Sequence, residues 1–236
     1  MNDPRSTFPY GSPTQLGVRL AAELSTAFLS QAFTWMFAGL LLTAGVAFLV
    51  QGSEALLRFT ASSWWLLFFG QLALVFVISG AINRIGALGA LGLFFIYAAS
   101  LGLTIGLIVA VYTGESVAAA FFSAGAMFGG AALYGRLTRR SLAGIGGYLS
   151  MAVVGLLVAL IVNIFLGSSP LGYVISIGGV ILFTVLTAYD VQRIAAGDLA
   201  ARYGSMEKAA VIGALQLYLD FINIFLFLLR IFGGRS

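Results

Sequence analysis

The stretch LQLYLDFINIFLFLLR, residues 215–230, is an oily helix with a lone acid, Asp220, at its middle. No lysine or arginine stands one turn away to neutralise it. An aspartate at the centre of a membrane helix costs roughly 2.5–3.5 kcal/mol on insertion scales, so acids in that position face a bundle interior or a water-filled path. The stretch therefore raises the fold and the function together: the helix crosses a membrane, and something inside a bundle must offset its charge.

Composition carries the membrane assignment to the whole chain. Of 236 residues, 61% are hydrophobic and only 8% are charged. A soluble domain carries about 25% charged residues. Eight per cent cannot clothe a water-facing surface, which sets aside cytosolic enzymes and nucleic-acid binders and leaves an all-α polytopic membrane protein. There is no cysteine and no histidine, so disulfides, thiol nucleophiles and the usual zinc and haem sites are excluded and no cofactor is expected. The opening MNDPRSTFPYGSPTQLG is polar and proline-rich. It lacks the basic, apolar, small-residue order of a cleaved signal peptide.

A spanning helix needs about 20 mainly apolar residues. Polar breaks divide the chain into seven such segments, over 29–50, 62–82, 86–111, 117–135, 142–166, 171–194 and 209–231. The domain plan is a polar N-terminal tail over 1–28, a seven-helix domain over 29–231 and a short C-terminal tail over 232–236. Lysine and arginine placement sets the orientation. With the N-terminus inside, the inner segments hold nine basic residues, Arg5, Arg19, Arg84, Arg136, Arg139, Arg140, Arg193, Arg202 and Lys208. The outer segments hold three, Arg58, Arg230 and Arg235. The expected topology is N-terminus cytoplasmic and C-terminus outside, with Arg230 and Arg235 dissenting. Gly102 with Gly106, and Gly125 with Gly129, have the four-residue spacing that lets membrane helices approach closely. Trp35, Trp64, Trp65, Tyr97, Tyr112 and Tyr148 read mostly as core or interfacial aromatics.

Of the eight acids, six lie in tails or at expected helix ends, where a solvated charge explains them. Two do not. Asp220 stands about 16 Å along the last helix at 1.5 Å per residue, and Asp190 lies in the sixth, within LFTVLTAYDVQRI. Gln216, Asp220 and Asn223 fall on one face of the last helix. Thr187, Tyr189 and Asp190 form a second polar cluster on the sixth. These helices are consecutive and antiparallel, and a polar stripe at membrane depth avoids lipid, so the two stripes are expected to face each other. Two carboxylates at close quarters cannot both ionise cheaply and are expected to titrate as a unit. Deprotonated, the pair offers hard oxygen ligands, too few for the six to eight of a tight calcium site and better suited to weak transit. Arg84 closes the second helix at the side where the sixth ends, within expected reach of Asp190, and Arg193 is a local competitor. Arg136, Arg139 and Arg140 read as topology determinants or lipid-headgroup contacts.

The pair AYDVQRI and LQLYLDFINIFLFLLR resembles the hallmark end of the Bax inhibitor family, the transmembrane Bax inhibitor motif-containing proteins, in a bacterial form. The first helix, FLSQAFTWMFAGLLLTAGVAFLV, agrees, as do the central ALYGRLTRRSLAGIGGYLSM and the IVNIFL that follows. The resemblance covers residues 26–232. It implies a seven-helix fold with the last helix central within two three-helix layers. It also implies a pH-sensitive calcium leak in a bacterial inner membrane, with Asp190 and Asp220 as a proton-sharing pair and Arg84, in the turn NRIG, as the latch of a shut state. Calcium ions and protons are then the partners, with calcium as transported ion and not cofactor. Two other functions stay open. One is a membrane-embedded regulator of proteolysis or stress survival that binds a membrane protease or another membrane protein. The other is an intramembrane aspartyl protease using the same two acids, against which Asp220 lacks a preceding Gly-x-Gly and the last helix lacks Pro-Ala-Leu. The expectation is a non-enzyme.

Overall fold

The computed structural model describes residues 13–233. The remaining tail residues, 1–12 with Arg5 and 234–236 with Arg235, lie outside the described residues. The described chain is helical throughout its ordered elements: α1 (Pro13–Gln51), α2 (Glu54–Ser62), α3 (Trp64–Val109), α4 (Gly114–Leu137), α5 (Gly146–Leu166), α6 (Ser169–Ala196), α7 (Asp198–Tyr203) and α8 (Met206–Phe232). Seven segments are long and apolar enough to cross a membrane, α3 supplying two of them, Trp64–Ile82 and Arg84–Val109.

Local chemistry sets the boundaries. Ser53, Thr113, Ser168 and Ser205 each present a side-chain oxygen to a backbone N–H of the first turn of α2, α4, α6 and α8, satisfying one of the donors a helix start leaves open. Gly197 closes α6 at φ 79°, a left-handed conformation costly for any residue with a Cβ. α1 starts sixteen residues before the expected span at 29: Pro13 suits a first helical turn, and LGVRLAAELSTAFL is built from good helix formers, so the helix outruns its apolar part, which begins at Thr26. The breaks expected at 51–58 and 195–208 likewise contain the short helices α2 and α7.

α3 is a hairpin folded at Gly86, whose φ of 72° and ψ of 174° belong to a region reserved for glycine. The Gln71 amide donates to the Ser100 carbonyl at 3.0 Å and to Thr104 Oγ1 at 2.8 Å. Those residues lie at similar distances on either side of the fold, so the two halves run antiparallel. The second half packs on α1 through Gly102 and Gly106. A Cβ on either would stand 2.8 or 2.9 Å from the carbonyl oxygen of Thr43 or Ala47. Gly125 and Gly129 have no such role: they face open space, because the buried stripe of α4 runs through Ala120, Ala124, Phe128 and Ala132, one position away.

α8 lies at the centre. Seventeen of its 27 residues are buried, on every face of the helix. It packs against α1 and α3 on one side and α4 and α6 on the other, and α5 lies outermost, along α6. The Tyr218 ring stands edge-on to Phe94 and Tyr97, at 5.5 and 6.0 Å between centroids. Its hydroxyl meets Thr43 Oγ1 at 2.6 Å, and Thr43 donates its one proton to the Ala98 carbonyl at 2.8 Å. Tyr218 is therefore the donor to Thr43, and the chain of two bonds ties α8, α1 and α3 together at membrane depth.

Candidate functional site

The antiparallel register of α6 on α8 can be read from close approaches. Gly213 faces Ile194, and Gly179 faces the Phe227 ring. Both pairs sum to nearly the same number, 407 and 406, so Thr187 falls opposite Asp220 and Asp190 opposite Leu217. The two carboxylates are thus offset by three residues, about 4.5 Å along the helices at 1.5 Å per residue, with Asp190 nearer the end that carries the α6–α8 connection.

Both acids are inside the protein. Asp220 is 1% exposed, Asp190 5% and Thr187 0%. In this register Thr187 and Asp190 are the polar α6 side chains that fall beside Asp220. Thr187 Oγ1 donates to the Phe183 carbonyl at 2.8 Å, so its single proton is engaged along α6. Asp220 Oδ2 is buried without a hydrogen-bond partner. A buried carboxyl oxygen left open is costly unless a proton or a cation meets it.

The nearest cation is local. Arg193 Nη1 lies 3.9 Å from Asp190 Oδ1, and its guanidinium covers the Tyr189 ring at 5.2 Å. Arg84 is exposed beside the α3 fold, and among the described residues it forms no ion pair with either acid. In this conformation the arginine at Asp190 is the competitor, Arg193, for a simple reason: it stands one turn away on the same helix. Of the supporting stripe, Gln216 is half-buried, and Asn223 donates back along its own helix to the Leu219 carbonyl at 2.8 Å. Among the described residues no group of three or more acids, histidines or cysteines could hold a metal ion.

Three features are absent from the sequence reading. Gln192 clamps the α4–α5 connection to α6 with both ends of its amide, donating to the Arg140 carbonyl at 2.9 Å and accepting from the Leu142 N–H at 2.6 Å. The Thr43–Tyr218 link is the second. The third is Asn163, 7% exposed with Oδ1 unpartnered, beside Arg230. A polar residue in an oily helix was the available signal in IVNIFL, as it was for Asp220.

Fold and site define a class: an all-α, seven-span membrane protein whose central helix carries a buried acid, with a second buried acid offset by three residues on the neighbouring α6. Comparison with known proteins places the chain more closely. Residues 25–236 match the family described as inhibitor of apoptosis-promoting Bax1, and the chain belongs to that family. It is 43% identical over 224 residues to the inner membrane protein YbhL of Escherichia coli K12, covering 92% of this chain and 95% of YbhL. An uncharacterized protein of Deinococcus radiodurans is 44% identical over 210 residues, covering 89% and 91% of the two chains. One from Borreliella burgdorferi is 39% identical over 213 residues, covering 88% and 92%.

Proposed function

We propose that this chain is a leak pathway for calcium across a bacterial inner membrane, gated by a proton shared between Asp190 and Asp220. The observation that carries the proposal is the open Oδ2 of Asp220, buried in the central helix with a second acid one turn away. A proton at the pair lets the bundle close around it. Without the proton, two charges in a low-dielectric interior repel, and a passing divalent cation relieves them. Two carboxylates bind calcium weakly enough to release it, as a pathway requires.

A cavity next to the central helix is consistent with the same function, although neither acid lines it. A cavity of about 470 Å³ lies between α1, α3, α4 and α8, lined by Thr43, Gln51, Tyr112 and Phe121 among others. It reaches α8 at Phe221 and Ile222, the two residues after Asp220. On the other side, Arg193 caps Asp190 with a guanidinium only partly buried, a position from which it can swing to water. Arg193 and Arg84 then compete for Asp190, and the latch of the shut state is whichever holds it.

The test is calcium flux into liposomes containing the full chain over a series of pH values. Wild type should leak with a pH-dependent rate. Asp220→Asn and Asp190→Asn, which cannot ionise, should each flatten the profile. Flux and pH dependence identical in wild type and Asp220→Asn would remove the proposal, as would wild-type flux no greater than in empty liposomes.

A further inference from the structure

Arg230 is the basic residue that disagrees with the charge asymmetry of the chain, and the structure gives it a place. At the end of the bundle opposite the α6–α8 connection, a cavity of about 860 Å³ is bounded by the start of α3, the second half of α5, the α5–α6 turn and the end of α8. Its polar lining is Asn163, Ser168, Ser169 and Arg230. Asn163 and the Arg230 guanidinium both crowd Gly172, where a Cβ would meet Arg230 Nη2 and stand 3.1 Å from Asn163 Nδ2. Two side-chain donors therefore converge over one glycine, and only the missing side chain at 172 allows it.

Four further observations concern what the cavity holds. Arg230 makes no ion pair among the described residues, and the acids at this end lie elsewhere: Glu54 is bound to Arg58 at 2.5 Å, and Glu115 does not line the cavity. The cavity also borders the start of α6, a 28-residue helix whose first turn presents the positive end of its dipole. Asn163 is more than nine-tenths buried, yet Oδ1 has no partner. The rest of the wall is apolar and faces lipid, with Phe68 50%, Leu157 54% and Ile161 55% exposed.

From this arrangement we infer a phospholipid site: Arg230, the Asn163 side-chain amide N–H and the start of α6 hold the phosphate, and the acyl chains lie on α3 and α5. A free phosphate would satisfy the donors but leave the apolar wall without an occupant. Phosphatidylethanolamine, phosphatidylglycerol and phosphatidylcholine all carry that phosphate, whereas diacylglycerol lacks it.

Native mass spectrometry of the full chain in detergent, titrated with these three lipids, with diacylglycerol and with inorganic phosphate, tests the site. One equivalent of each phospholipid should bind, and far more tightly than diacylglycerol. Arg230→Gln, which deletes a charge-assisted hydrogen bond, should weaken phospholipid binding by about tenfold or more. Gly172→Ala, which keeps the charge but takes the guanidinium's space, should weaken it too. Asn163→Leu, which removes the second donor beside Gly172, should weaken phospholipid binding as well. Equal binding to wild type and Arg230→Gln would overturn the site, as would equal binding of phospholipid and diacylglycerol. Saturation by inorganic phosphate that excludes the lipid would reassign it to a free anion and overturn the lipid. Should Arg230→Gln fail to fold, Gly172→Ala and Asn163→Leu decide by the same criteria, with thermal unfolding without added lipid as the folding control.

Discussion

At the scale of single residues, the interior of this bundle is organised by a few polar atoms whose partners can be counted. Thr43 and Tyr218 satisfy each other and the Ala98 carbonyl, whereas Asp220 keeps one oxygen open. The first arrangement holds α8 in place, and the second is the one on which the proposed leak rests. Their energetic signatures should differ. Tyr218→Phe removes the donor to Thr43, and Thr43→Val removes the acceptor together with the bond to Ala98. Buried hydrogen bonds in membrane bundles average about 0.6 kcal/mol in double-mutant cycles, reaching about 1.7. Each substitution should therefore lower the thermal midpoint in detergent by a few degrees, at about 2–4 °C per kcal/mol for a chain of this size. The cycle should give a positive coupling within that range. Neither change should alter the pH dependence of calcium flux, because neither hydroxyl belongs to the carboxylate pair. A zero coupling energy would mean that the 2.6 Å contact holds nothing. The acids themselves were legible from sequence, since a lone charge in an oily helix has few explanations. Which arginine stands by Asp190 was not: Arg84 and Arg193 are equally basic on paper, and only the path of α3 leaves the first exposed.

At the scale of elements, glycine spacing proved an incomplete guide to helix contact. Gly102–Gly106 and Gly125–Gly129 have the same spacing in the sequence. The first pair seats α1 against α3 and the second faces open space. Spacing specifies a stripe but not the side of the helix that meets a neighbour, and on α4 the stripe of Ala120, Ala124 and Phe128 takes that place. The span boundaries were legible to within a few residues because hydropathy changes sharply at them, whereas α2 and α7 were not, since amphipathic turns of six to nine residues carry too little periodicity to stand out. The two glycine pairs make a matched experiment. Gly106→Ala would put a Cβ 2.9 Å from the Ala47 carbonyl oxygen and 2.7 Å from Val50 Cβ, forcing α1 and α3 apart. Overpacking of this kind costs about 1–3 kcal/mol, so the thermal midpoint should fall. Gly125→Ala meets no atom within 4 Å and gains up to about 1 kcal/mol of helix propensity, so its midpoint should hold or rise. Equal losses in both variants would mean that Gly125 has a contact outside the single chain, such as a second copy.

At the scale of the whole molecule, the folded chain sorts its charges to two ends. Arg84, Arg136, Arg139, Arg140, Arg193, Arg202 and Lys208 fall at or near the turns on one end, and Arg58 and Arg230 at the other. Seven spans place α1 and α8 on a common direction, so the end bearing the α6–α8 connection also bears the start of α1. Basic residues next to short loops stay on the cytoplasmic side. By that rule the end with Asp190 and Arg193 is expected to face the cytoplasm, and the cavity with Arg230 to face outward. Arg230 no longer weighs against this orientation if a phosphate compensates its charge there. Fusions to the full chain discriminate the two orientations. Alkaline phosphatase attached after residue 236 should be active in cells, because it folds only outside the cytoplasm, while a fluorescent protein attached at the same point and exported unfolded should stay dark. The reverse pattern would invert the molecule, put the Asp190 mouth outside, and require the proton that gates the pair to arrive from the external medium. Reversing the asymmetry should act on the same readout: replacing Arg136, Arg139 and Arg140 together by glutamine removes three of the nine basic residues expected at the inner end and should lower phosphatase activity per molecule, whereas Arg230→Gln should leave it unchanged or raise it.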